Sequence, residues 1–247
     1  MISNAQSGTS IDEVARAIYR ISTPVPPTVV PGGFTFNQYL LVDEAPLLFH
    51  TGPRKMLPLV KEAIARVMAV EKLRYVAFSH YEADECGSLN DFLALAPQAE
   101  PLCGHVAAMV TIDDVADRQA RRLADGERLS LGTHEVTWFD TPHLPHAWEC
   151  GFLAESSTST LFCGDLFTQP GSDHPPLTQR DVLEPSEAFR QAMDYYSHTK
   201  NARQMIERLA STSPRVLACM HGAAWEGDGA SLLRALAERL DPARGET

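Results

Sequence analysis

Hydrophobic and polar positions sort into short apolar runs separated by amphipathic and turn-rich stretches. Ile18–Ser22, Asn37–Val42 and Pro46–His50 read as strands, and the turns between them point to an antiparallel start. Pro58–Val70 has helical spacing, with Leu59, Ile64, Val67 and Met68 among its apolar positions. Tyr75–Ser79 is a mostly apolar run of the kind a buried strand carries. A short helix is predicted over Leu89–Leu95, a strand over Pro101–Gly104 and a helix near Ile112–Leu123. Glu127–Asp140 reads as two strands around Gly132. Gly151–Ala154 and Ser159–Cys163 read as a hairpin across Glu155–Thr158. Pro185–Ala210 is predicted as one long helix or a helical pair, Val216–Cys219 as the last buried strand and Ala230–Leu240 as the last helix. Residues 1–10 are polar and read as a flexible tail; residues 11–247 read as one domain without linker or repeat. Two clusters of strands, each followed by helices, imply an α/β fold of two sheets between helical layers.

Composition narrows the function classes. The chain has 247 residues, with 21 Lys and Arg against 32 Asp and Glu, a net charge of −11. That balance argues against a nucleic-acid partner and against an anionic membrane surface, both of which need a basic face. Hydrophobic residues make up 44%, enough to bury a core and to exclude disorder as the main theme. No run approaches the roughly 20 apolar residues of a membrane-spanning helix. The first residues lack a basic segment followed by an apolar one, so no secretory signal is expected. Five cysteines, an odd number, then fit reduced thiols in a cytoplasm.

The chemistry concentrates at His80-Tyr81-Glu82-Ala83-Asp84, directly after the Tyr75–Ser79 run. Side chains at i, i+2 and i+4 of an extended segment share one face. One imidazole and two carboxylates at a strand end make a metal half-site. His146 in TPHLPHAWE, Asp165 in LFCGD and His221 in VLACMHG each also follow a short apolar run. Strand carboxyl ends gather on one edge of a sheet, where ligand sites form. His80, Glu82, Asp84, His146, Asp165 and His221 are therefore candidate metal ligands at one strand-end rim. Asp165, with its two oxygens, suits a bridge between two metals. Three imidazoles and three carboxylates suit iron or manganese better than zinc. Cys86, Cys150, Cys163 and Cys219 border these segments and read as small buried hydrophobes or, in a sharper reading, as redox-active thiols. His50, His105, His134, His174 and His198 lack ligand spacing and read as surface or satisfied core residues.

The order HxExD, a His after a TP turn, LFCGD and MHG resembles the metallo-β-lactamase fold, a four-layer αββα sandwich. The Glu in the first motif resembles the flavodiiron branch, since most hydrolases of the fold carry HxHxDH there. The resemblance covers roughly residues 11–240. It implies one metal held by His80, Glu82 and His146, a second held by Asp84 and His221, and Asp165 between them. His143 is a rival to His146. The segment HAWEC, with Glu149 three residues after His146, resembles the flavodiiron pattern and favours His146. Glu85 stands where many members carry His; it either ligates the second metal or leaves that position to water. The segment AMDYYSHTKNARQMIERL resembles the flavodiiron helix that brings a Tyr near the metals, here Tyr195 or Tyr196.

The resemblance implies a di-iron centre that binds O2 or NO, with zinc or manganese entering by mismetallation. The chain shows no phosphate-cradling loop for FMN, no CxxC pair for a rubredoxin-type iron and no flavodoxin-like domain before Thr247. No FMN is therefore expected on this chain. Electrons would come from a separate protein, or the centre would sense O2 without reducing it. The alternative is a binuclear hydrolase acting on a small ester, lactone or thioester through a metal-bridging hydroxide. A homo-oligomer is compatible with either reading.

Overall fold

The computed structural model describes residues 1–240. Its first sheet comprises β1 (Ile2–Asn4), β2 (Thr9–Ala15), β3 (Ile18–Val25), β4 (Phe34–Leu41), β5 (Leu47–Phe49), β6 (Tyr75–Ala77), β7 (Glu100–Gly104) and β8 (Arg121–Leu123), hydrogen-bonded in that order. The pairs from β1 to β5 are antiparallel, and those from β5 to β8 are parallel. The second sheet comprises β9 (Arg128–Ser130), β10 (Glu135–Asp140), β11 (Gly151–Glu155), β12 (Thr160–Phe162), β13 (Leu177–Thr178), β14 (Val216–Ala218) and β15 (Ala224–Glu226). Its spatial order is β13-β15-β14-β12-β11-β10-β9, with β12 and β14 parallel neighbours.

The helices are α1 (Leu57–Ile64), α2 (Ala83–Cys86), α3 (Leu89–Leu95), α4 (His105–Ala107), α5 (Asp113–Val115), α6 (Leu183–Met193), α7 (Ala202–Ala210) and α8 (Gly229–Arg239). Val60 and Ile64 of α1 and Phe92 and Leu93 of α3 pack with Val76 and Phe78 on the outer face of the first sheet. Ile206 and Leu209 of α7 and Leu233 and Leu236 of α8 pack with Leu161 and Leu217 on the outer face of the second. Between the sheets, Ile18, Tyr39 and Phe49 meet Trp138, Leu153 and Phe162. Central strands are buried on both faces, which is why they read as continuous apolar runs. The result is the four-layer αββα arrangement.

Several local expectations are corrected. Residues 1–10 are not a tail: β1 pairs with β2, and Ile11 N–H donates to the Met1 carbonyl. Their buried side chains are small and polar and satisfy one another. Ser3 Oγ donates to the Thr9 carbonyl, and Thr9 Oγ1 lies 3.1 Å from Thr23 Oγ1, so no hydrophobic signal betrays the strands. The helix expected near Ile112–Leu123 lies earlier. The chain is helical from His105 through a π-turn at Ala108–Ile112 to Val115, and Arg121–Leu123 is β8. The Pro185–Ala210 stretch is a helical pair, broken at Asp194, whose φ of 49° is left-handed. Strands β13 and β15 carry no alternation and were not expected.

Candidate metal centre

Three of the candidate residues stand at the same offset from their strands. His80 lies three residues past β6, Asp165 three past β12 and His221 three past β14. The first strand belongs to one sheet and the other two to the second, so both sheets deliver side chains to a common rim. His146 reaches the same place from the loop between β10 and β11. Two glycines permit the approach. Gly164, before Asp165, has φ +48°, and a Cβ there would lie 3.0 Å from Ser79 Oγ. Gly222, after His221, has φ +90°, and a Cβ would meet Gln169 at 2.6 Å.

Asp165 sits at the middle. Its Oδ2 lies 3.6 Å from His80 Nε2 and 3.5 Å from His146 Nε2, while its Oδ1 lies 3.4 Å from His221 Nε2. Glu82 Oε1 is 3.2 Å from His146 Nε2 and 3.8 Å from His80 Nε2. Asp84 Oδ2 is 3.6 Å from His221 Nε2. The six residues thus fall into two half-sites, His80–Glu82–His146 and Asp84–His221, with one oxygen of Asp165 facing each. His80 and Asp165 are buried, whereas the Glu82 side chain is 52% exposed and forms the open side.

The imidazoles are held from behind. His146 Nδ1 donates to the Tyr195 main-chain carbonyl at 3.0 Å, and His221 Nδ1 donates to the Thr35 carbonyl at 2.7 Å. A carbonyl can only accept, so in the neutral rings Nδ1 carries the proton and Nε2 presents its lone pair to the centre. His80 and His146 face each other with their Nε2 atoms 2.9 Å apart. Phe34 stacks on the His221 ring at 4.2 Å between centroids.

Electrostatics follow from this crowding. Burial opposes ionisation of Asp165, but the adjacent imidazoles of His221, His80 and His146 hold its carboxyl well below the usual range. Burial alone would lower His146 and His221. Glu82 and Asp165 raise the first, and Asp165 and Asp84 raise the second. Burial pushes Glu85 well above the carboxylate range, reinforced by Asp165 and Asp84.

Glu85 is fully buried on α2, and neither of its oxygens has a hydrogen-bond partner; Asp165 Oδ1 is likewise orphaned. Buried carboxyl oxygens without hydrogen-bond partners are costly. Two divalent cations would satisfy them, and the oxygen-rich donor set fits such ions.

The other candidates fall elsewhere. His143 is exposed, and its backbone N–H donates to the Ala147 carbonyl; its side chain lines a separate surface cavity. Glu149 accepts from Tyr81 N–H at 3.2 Å and so ties the His146 loop to the HxExD segment. Tyr195 lies beside His146, ring centroids 6.0 Å apart, and its hydroxyl donates to the Asp165 main-chain carbonyl. Tyr196 is buried in the helical core, with the Arg190 guanidinium over its ring. His174 hydrogen-bonds the Pro170 carbonyl.

One side chain was overlooked by spacing. His50, buried at the end of β5, places Nε2 3.0 Å from Ser79 Oγ, which in turn lies 3.0 Å from His80 Nδ1. β5 and β6 are parallel neighbours, so their ends share the rim, a relationship that follows from strand pairing and not from residue spacing.

Residues 34–222 match the family model described as ODP family beta lactamase. The chain belongs to this family. Among curated proteins, it is 29% identical over 137 residues to a protein named putative diflavin flavoprotein A 2 from Nostoc sp., covering 55% of this chain and 24% of that one. It is 26% identical over 211 residues to rubredoxin-oxygen oxidoreductase from Megalodesulfovibrio gigas, covering 81% of this chain and 51% of that one. Among solved structures, the flavodiiron protein from Giardia intestinalis superposes with a TM-score of 0.78 at 20% identity, covering 94% of this chain and 59% of that one. The chain thus spans between about a quarter and about three fifths of these relatives. At this identity the structural match shows the fold, which agrees with the αββα layers of this ODP-family chain.

Proposed function

We propose that this chain carries a binuclear, preferentially di-iron, centre that binds O2 or NO. One observation supports this above the rest: the two oxygens of Asp165 face opposite half-sites, Oδ2 toward His80 and His146 and Oδ1 toward His221. A carboxylate so placed suits two ions and leaves each half-site short of a full ligand shell. The relatives' names add weight, since one is a rubredoxin-oxygen oxidoreductase and another a flavodiiron protein.

Two adjacent ferrous ions can each supply one electron to a bound diatomic. The protein's own residues do the rest. Tyr195 and Thr35 carbonyls orient His146 and His221, and Ser79 orients His80. Phe34 covers one face of the His221 ring, while the exposed Glu82 side leaves a path for a small ligand. Continued reduction would need electrons from a donor; without one, the same centre would register O2. The Glu82 carboxylate, where a zinc hydrolase of this fold carries imidazole, weighs against the ester or lactone hydrolase.

Stopped-flow spectroscopy tests this. Anaerobically reduced, iron-loaded protein should develop a visible absorption band on mixing with O2 and should consume O2 continuously only when a reductase is added. Iron-loaded protein that is inert to O2 and NO yet opens a lactone would replace this reading with the hydrolase.

A further inference from the structure

We infer that Glu85 is a second bridging carboxylate, placed so that each of its oxygens serves a different metal. This rests on the reading of the site as a two-metal centre and adds to it a ligand that the six-residue set lacks. Two independent observations carry it. First, Glu85 groups with both half-sites: one carboxylate oxygen lies within 4.8 Å of ligand atoms of His80 and Glu82, and one within 4.8 Å of those of Asp84 and His221. Apart from Glu85, only His80 belongs to two such clusters among the described residues, and both of those lie on its own side. Second, both Glu85 oxygens are buried and have no hydrogen-bond partner, although the residue is 0% exposed.

A buried carboxylate kept only for packing would be expected to find donors. Here the backbone holds the segment without using the side chain, because the Glu85 carbonyl accepts from Thr51 N–H at 2.7 Å. The carboxylate is thereby left aimed between the half-sites. Glu82, Asp84, Asp165 and Glu85 together carry −4, which balances two divalent ions when the three imidazoles are neutral. Without Glu85 the remaining carboxylates carry −3, and two divalent ions would retain one uncompensated positive charge in a buried place. A bridge from Glu85 should therefore hold the second ion once the first is bound.

Manganese(II) alone is a sufficient probe, since the free ion gives a six-line electron paramagnetic resonance signal that disappears on binding. Wild-type protein should take up two ions per chain and show the broadened spectrum of a magnetically interacting pair. Glu85→Gln keeps the shape and removes the charge; Glu85→Asp keeps the charge but is one methylene too short to span both half-sites. Both variants, shown folded by circular dichroism, should weaken one of the two ions by more than about tenfold and lose the pair signal. Retention of both ions within twofold of wild-type affinity in Glu85→Gln, with the pair signal intact, overturns the bridge. Retention in Glu85→Asp alone reduces Glu85 to a balancing charge and overturns it too. A wild-type protein that binds fewer than two ions would instead bring down the two-metal reading itself.

Discussion

His146 Nδ1 donates to the main-chain carbonyl of Tyr195 across 49 positions of sequence. The helical pair α6–α7 therefore contributes to the centre through backbone as well as through a phenol. Tyr195 adds a second tie, its hydroxyl donating to the Asp165 carbonyl at 3.1 Å. Tyr195→Phe should keep the first tie and lose the second. Metal load should be retained, and stability should fall by about 1 kcal/mol, the usual net worth of one hydrogen bond. Urea unfolding with parallel metal analysis checks both numbers. Loss of metal in this variant would show that the phenol does more than hold the Asp165 turn.

His143 and His146 lie in the same strained loop, with φ of 64° at His143 and again at Ala147. Only His146 faces Asp165 and Glu82. His143→Ala should retain both metals, and His146→Ala should weaken binding by more than about tenfold. Equilibrium dialysis followed by elemental analysis decides, and equal losses would contradict the assignment.

Asp165→Asn keeps the size of the side chain but replaces one oxygen with an amide that binds metal poorly. Because Oδ1 and Oδ2 face different half-sites, this change should cost affinity for both ions together. Loss of a single ion, with the other held at wild-type strength, would show that Asp165 does not bridge.

Away from the centre, Glu155 and His134 form a buried pair at 3.0 Å. Burial opposes the Glu155 charge, but Thr158, Ser157 and His134 donate to it and hold its carboxyl below the usual range. A depressed carboxylate adds stability above its unfolded value, about 4.3, and that stability is lost as pH falls through the folded value. Glu155→Gln should be less stable than wild type by about 2 kcal/mol at pH 7, and the gap should close toward pH 3. A gap that is constant with pH, read from urea midpoints, would rule out the charged form as the source.

All five cysteines are buried, and Cys163 Sγ lies 3.8 Å from Cys219 Sγ. Burial pushes the Cys86 and Cys103 thiols up to about 12. Thiols that stay protonated are poor nucleophiles. Folded protein should therefore leave Ellman's reagent unreacted at pH 8, and denatured protein should release five equivalents. Rapid reaction of any thiol in the folded state would favour the redox-active reading.

Sequence spacing picked out much of this cluster because polar residues just past strand ends leave a local mark. A polar His or Asp interrupts each of Tyr75–Ser79, Leu161–Cys163 and Val216–Cys219, and the apolar run itself announces the strand. What escaped has no such mark. Thr35 acts through a carbonyl at the start of β4, which any residue could supply. Ser79 and His50 matter only because β5 and β6 are neighbours, a fact of pairing and not of pattern. β1 and the start of β2 lack a hydrophobic mark for a different reason, since the buried side chains there are Ser3 and Thr9, whose hydroxyls are hydrogen-bonded. The preference for His146 over His143 came from the resemblance of the HAWEC segment and not from spacing alone.

The central claim is a two-iron centre, and anaerobic titration with ferrous iron tests it most directly. Metal-free protein, titrated under argon and then analysed for bound metal, should hold two irons per chain, and Asp165→Asn should hold fewer than one. One iron per chain in the wild type, or two zincs retained in preference to iron supplied in excess, would contradict the account.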